Sequence, residues 1–218
     1  MLNAECLMPI SIGQKVHEGE KFIATLKLVD RSFAKCTILI DDTVQRHTLA
    51  IAEKEKTPSE LYNDALKYGD QWLNTYQGYI ASEFHIPYKI IRWDKWLYHK
   101  DFEENVQAVR NCYNKNKQYK ESIDENIREF LKRRPEDDIF DWEYAKECCL
   151  EYLIEECAAM CLWVEEKCEY ELYPSGRNKA MAATYETLIK PRTPNLLRSV
   201  ALRFKKYGKK IINEHIEA

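Results

Sequence analysis

The chain has 218 residues, 45% of them hydrophobic and 32% charged, with a formal net charge of −3. Such a length suits one domain spanning residues 1–218, and the composition supports a buried core, which excludes a disordered chain. No run of about 18 apolar residues marks a membrane span, and the opening MLNAECLMPISIG lacks the basic and apolar regions of a signal peptide, so a cytoplasmic protein without membrane contact is expected.

In chain order, residues 6–12 and 35–41 (KCTILID) are short, β-branched apolar runs of the kind buried in parallel sheets. Between them, residues 19–33 carry Phe22, Ile23, Leu26 and Val29 at helical spacing. A long helix is expected over 59–82, with Pro58 in its first turn. Residues 87–93 (PYKIIRW) read as a third strand and 141–166 as a helix. A later strand over 168–173 (CEYELY) is closed by Pro174-Ser175-Gly176. This alternation predicts one α/β domain with a central parallel sheet flanked by helices. GxGxxG, GxxxxGK[ST] and GxSxG are all absent, which removes the usual support for dinucleotide binding, P-loop binding and an α/β-hydrolase elbow.

Charge is unevenly distributed. Residues 105–134 carry a net +4, residues 135–171 a net −11, and residues 187–218 a net +6. A phosphate-rich partner can meet basic surface despite the negative total, although solvated helix faces give the same pattern. The eight cysteines include no CxxC pair, and no histidine joins the cluster at 148–168, so reduced thiols are expected and no metal.

In an open parallel sheet, ligands bind beyond the carboxyl ends of the strands. This singles out the loop after the first strand, with Ser11, the loop after Asp41, and the strand end at Tyr173. Tyr152 and Glu156 are four residues apart and share one helix face with Ala145, Cys149, Ala159, Met160 and Trp163. A carboxylate on so apolar a stripe needs a partner, either a core Lys or Arg or a ligand. Glu155 points roughly 100° away and is expected to be solvated.

Four blocks together resemble the tRNA-dependent cyclodipeptide synthases. They are Pro9-Ile10-Ser11-Ile12-Gly13-Gln14 with the following His17-Glu18-Gly19-Glu20-Lys21, the segment from Asp41 to Leu49, Tyr152-Leu153-Ile154-Glu155-Glu156, and Tyr173-Pro174. They occur in the family's order from Pro9 to Pro174. The resemblance extends to the subfamily named for its X-Tyr-Pro signature, with Gln14 at the variable position. Pro9 stands where many members have glycine. The helix over 59–82 is poor in Lys and Arg, whereas the other subfamily uses a basic helix there for tRNA. The family's fold resembles the Rossmann-like catalytic domain of the class I tyrosyl- and tryptophanyl-tRNA synthetases. No HIGH-like or KMSKS-like motif is present, which favours use of charged tRNA over its production.

The resemblance implies an aminoacyltransferase whose partners are two aminoacyl-tRNAs, acting as a monomer without cofactor. An aminoacyl-tRNA carries an activated ester, so no ATP or metal is needed to make a peptide bond from it. Ser11 is implied to accept the first aminoacyl group. Glu156 and the Tyr152 hydroxyl are implied to hold its α-ammonium. A second aminoacyl-tRNA gives a dipeptidyl-enzyme, and attack of the free amine on the serine ester closes a diketopiperazine ring. Tyr173 is implied to relay a proton or orient groups in that closure. Gln14 and Pro174 are the expected substrate-binding residues. Arg128, Lys132, Arg133 and Arg134, from the +4 segment, are the expected tRNA contacts. The competing reading is a non-catalytic Rossmann-like module that binds tRNA or another ligand, with Ser11 merely structural.

Overall fold

A computed structural model of the chain describes residues 3–133, 141–207 and 210–217, with side chains through residue 204. The elements begin β1 (Glu5–Ser11), α1 (Gly19–Ser32), β2 (Lys35–Asp41), α2 (Arg46–Ala52), α3 (Pro58–Glu83), β3 (Tyr88–Arg92) and α4 (Asp94–Leu97). They continue with α5 (Phe102–Lys115), α6 (Lys117–Leu131), α7 (Trp142–Leu162), β4 (Tyr170–Leu172), α8 (Lys179–Thr184), β5 (Arg198–Tyr207) and β6 (Lys210–Glu217). The sheet order is β3-β2-β1-β4-β5-β6, with the first five strands parallel and β6 antiparallel at one edge. The expected α/β architecture is therefore present, and the four expected strands each lie within a residue or two of their expected limits. β5 and β6 come from the basic C-terminal stretch, where no strand was anticipated.

After β1 the chain moves outward through β2 to β3, then returns to lay β4 on the other side of β1. The switch point lies between β1 and β4, where a crevice opens beyond the strand ends. β1 and β2 are buried along nearly their whole length, as two-sided strands must be. Side-chain alternation divides them between two cores. Cys6, Met8, Ile10, Ile38 and Ile40 pack toward α1 and the C-terminal half of α3, whereas Leu7 and Leu39 pack toward α7. By the same period of two, Ser11 and Asp41 share the α7 side.

α3 starts as its sequence suggests. Pro58 occupies the first helical turn, and Thr57 and Glu60 form a capping box, each side chain accepting the other's backbone N–H. α7 is the central helix, and from Leu153 to Met160 every residue is buried. Glu155 therefore has no solvated side to face. It sits in a buried cluster, accepting from Arg46 (2.8 Å), from the Trp93 indole (2.8 Å) and from His47 Nε2 (3.0 Å). This corrects the expectation of a solvated Glu155: the periodicity argument assumed a helix exposed on one flank, and from Leu153 to Met160 α7 is enclosed on all of them.

Candidate active site

β1 ends at Ser11, and the chain turns through Gly13, whose φ of +80° suits glycine. The turn is closed by Gln14 N–H to the Ser11 carbonyl (3.3 Å) and His17 N–H to the Gln14 carbonyl (2.8 Å). It carries His17 back beneath Ser11, where Nδ1 accepts the Ser11 backbone N–H at 2.9 Å. The neutral ring then keeps its proton on Nε2, and burial lowers the imidazole to about 4. His17 thus anchors the Ser11 backbone and, in this tautomer, is not a base for the Ser11 hydroxyl. Its ring also meets that of Tyr173 edge-on, with centroids 5.1 Å apart.

Ser11 Oγ lies 3.0 Å from the Tyr173 hydroxyl across the switch point. Tyr173 follows β4 and is held by β5. Its N–H donates to the Val200 carbonyl (3.1 Å), and the next carbonyl, that of Pro174, accepts from Leu202 (3.0 Å). Burial raises the Tyr173 phenol well above the ordinary range.

Above these two stands α7. Tyr152 and Glu156 meet at 3.5 Å, Gln45 Nε2 donates to the Tyr152 hydroxyl at 3.4 Å, and Asn178 Nδ2 donates to Glu156 Oε2 at 3.3 Å. These bonds are at the long, weak end of the range. Among the described residues no cation pairs with Glu156, in contrast to the adjacent Glu155. Arg177, which lines the same space, is already committed. It pairs with Glu171 (2.8 Å), stacks on the Tyr185 ring (4.0 Å) and donates to the Leu197 carbonyl. Burial therefore raises Glu156 to about 7, with the Glu171 carboxylate adding to it and the Asn178 amide opposing it. Of the two partners open to Glu156 from sequence, a core Lys or Arg is not the one found.

These groups line a cavity of about 520 Å³, with Gln14, Gln45, Thr48, Cys149, Leu153 and Met181 among its other walls. That size suits a small ligand or the end of a larger one. Its polar groups converge on an ammonium-sized space beside a hydroxyl pair. Ser11, Tyr152, Glu156, Tyr173 and Gln14 are thus brought together, with Gln14 exposed. Pro174 is buried behind the wall rather than lining it. Arg133 lines the cavity, Lys132 is exposed nearby, and Arg128 is exposed and paired with Glu121 at 2.5 Å. Arg134 lies outside the described residues.

Sequence reasoning passed over Asn178, and it named Gln45, Asp41 and His17 only within longer segments, without a role of their own. Asn178 left a usable signal, since it caps α8 by accepting the Met181 N–H at 2.8 Å. All eight cysteines are free thiols. Among the described residues one group of metal-capable side chains, His99, Asp101 and Glu165, has ligand atoms within 4.8 Å of one another, and none of the three lines the cavity. No described helix is long and apolar enough to cross a membrane.

No protein-family model and no curated protein matches the chain. Solved structures do. The chain is similar to a CDPS, or cyclodipeptide synthase, from Fluoribacter dumoffii at 52% identity, with 94% of this chain and 92% of that one covered and a TM-score of 0.90. It is similar to a cyclodipeptide synthase from Candidatus Glomeribacter gigasporarum bound to Phe-tRNAPhe at 22% identity, covering 94% and 89% of the two chains, with a TM-score of 0.76. It also shares the fold of tyrosyl-tRNA synthetase from Pyrococcus horikoshii, complexed with L-tyrosine, at 13% identity, 94% and 54% coverage and a TM-score of 0.55.

Proposed function

The chain belongs to the cyclodipeptide synthase family, and on that footing we propose that it joins the aminoacyl groups of two charged tRNAs into a cyclic dipeptide through esters on Ser11. One observation carries the reading: a hydroxyl pair, Ser11 and Tyr173, shares a cavity with Glu156, a buried carboxyl paired with no cation among the described residues. The ammonium of an aminoacyl group supplies that cation.

Ser11 Oγ attacks the ester carbon of the first aminoacyl-tRNA. A new C–O bond forms as the bond to the ribose oxygen breaks, and the serine proton passes to that departing oxygen. Glu156 and Tyr152 hold the α-ammonium and fix the acyl carbon. Glu156 at about 7 is matched to the amine whose proton it must accept before that amine attacks. The amine of the aminoacyl-enzyme then takes the second aminoacyl group, giving a dipeptidyl-enzyme. Attack of the new terminal amine on the serine ester closes the ring, with Tyr173 orienting Oγ. The whole chain, 1–218, acts as one synthase domain and as a monomer, in the X-Tyr-Pro subfamily, with Gln14 on the substrate side and Pro174 backing the cavity wall behind Tyr173. Arg128, Lys132, Arg133 and Arg134 contact the tRNA backbone.

The test is mass spectrometry of culture medium from a bacterial host expressing the protein. A new cyclic dipeptide is expected with the wild-type chain and none with Ser11→Ala, which keeps its fold. Full product from Ser11→Ala would sink the serine-ester scheme and leave the non-catalytic reading of Ser11.

A further inference from the structure

Asp41 is a buried carboxyl that the scheme above leaves idle. It ends β2 directly opposite Ser11 in the parallel register. Both side chains point to the α7 side of the sheet, in line with Leu7 and Leu39. Asp41 is 3% exposed, and its Oδ1 has no hydrogen-bond partner.

The groups around it are Ser11 on β1, Asp42 beside it, Tyr152 and Glu156 on α7, Glu171 on β4, and Tyr173 just beyond β4. None of these is a cation. The neighbouring Asp42 differs, since Arg92 pairs with it and the Thr43 N–H donates to it at 2.7 Å. Burial raises the Asp41 carboxyl well above its ordinary value, the charges of Glu156, Asp42 and Glu171 push the same way, and the neighbouring Ser11 side chain offsets only part of this. A carboxyl so placed favours its protonated form. The residue directly across the strand pair from it, on the same side of the sheet, is Ser11.

We propose that Asp41 is a catalytic acid that hands its proton to Ser11 Oγ as the dipeptidyl ester breaks in ring closure. The proposal rests on the serine-ester reading above. In that step the terminal amine forms a bond to the ester carbon and the carbon–Oγ bond breaks. Oγ leaves with the electron pair and takes the Asp41 proton. The surplus proton of the amine goes to the Glu156 carboxylate, which faces Asp41 and returns a proton to it. The net transfer is one proton from nitrogen to Oγ, and each turnover begins and ends with Asp41 protonated. Tyr173 does not replace it as the source, because a buried phenol so raised holds its proton too tightly; it keeps Oγ in place. Carboxylic acids held neutral by apolar surroundings for use as proton donors are an established device of enzymes.

Asp41→Asn keeps the shape and the hydrogen bonding of the neutral acid but has no proton to release. Expressed in the bacterial host beside wild type, and judged folded by a cooperative thermal transition, it should lower cyclic dipeptide in the medium by about 100-fold. Acid-quenched intact-protein mass spectrometry should show a dipeptidyl adduct accumulating on it, and Ser11→Ala/Asp41→Asn should carry none. Wild-type product levels from Asp41→Asn overturn the proposal, as does a loss of product without the adduct. If wild type itself yields no cyclic dipeptide, the serine-ester reading fails instead. Should Asp41→Asn not fold, purified wild-type enzyme is supplied with total aminoacylated tRNA from the host, and product formation is followed against pH. The rate should fall on the alkaline side as the acid ionises; a rate that climbs with pH without such a limb overturns the proposal.

Discussion

Replacing Glu156 by Gln should make the protein more stable at neutral and alkaline pH while removing its activity. The buried carboxyl titrates at about 7, against 4.5 for an ordinary glutamate. Across that window the native state holds a proton the unfolded chain has lost, so the group's contribution to stability falls as pH rises. With about 2.5 units of separation at 1.36 kcal/mol each, the wild type should lose about 3 kcal/mol over the window. Gln mimics the neutral acid and loses nothing. For a domain of this size, roughly 2–4 °C in Tm accompanies each kcal/mol. Thermal melts at the acid end of the window should thus give nearly equal Tm values, and at the alkaline end Glu156→Gln should melt about 10 °C higher. The raised carboxyl of Glu171 slopes the same way in both proteins, and Asp41, which the Glu156 charge helps to raise, adds to the difference with the same sign. A Tm difference that stays constant across the window would refute the reasoning. Cyclic dipeptide in the medium should fall severely in the same variant, the usual cost when an active-site charge is relieved.

Other substitutions test the supports of the site. Asn178→Ala removes the amide donor to Glu156 at 3.3 Å and the cap of α8. It should cost about 1 kcal/mol and shift the Glu156 window to higher pH, read in the same melt series. Arg46→Ala leaves the buried Glu155 charge with only His47 and Trp93 and should cost about 3 kcal/mol in denaturant unfolding; an unchanged midpoint would show the pair to be inert. Gly69 and Gly78 should respond with opposite signs. A Cβ at Gly69 would lie 2.5 Å from Asp42 Oδ2 and 2.8 Å from Arg92, whereas nothing lies within 4 Å at Gly78. Gly69→Ala should destabilise by about 1–3 kcal/mol, and Gly78→Ala should stabilise by up to about 1 kcal/mol.

The parallel sheet was legible in the sequence because β1 and β2 are buried on both faces and so read as unbroken β-branched runs. The pairing of Tyr152 with Glu156 was legible because four residues make one turn of helix. β5 and β6 were not, because an edge hairpin needs no continuous apolar run and the Lys and Arg of the C-terminal stretch masked its period. Glu155 was misjudged for a related reason. Helical phase tells which side chains share a face, and only the packing of α2, α5, α6 and α8 around α7 tells which faces are enclosed.

The sequence by itself therefore determined the α/β order, the strand end that carries Ser11 and the ordered blocks that resemble a family. The tertiary structure decided what the carboxyls do. Glu155 received Arg46, Glu171 received Arg177, Asp42 received Arg92, and Asp41 and Glu156 received no cation from the described residues. Local sequence cannot assign those partners, because the ionisation of a buried acid is set by groups drawn together from distant parts of the chain.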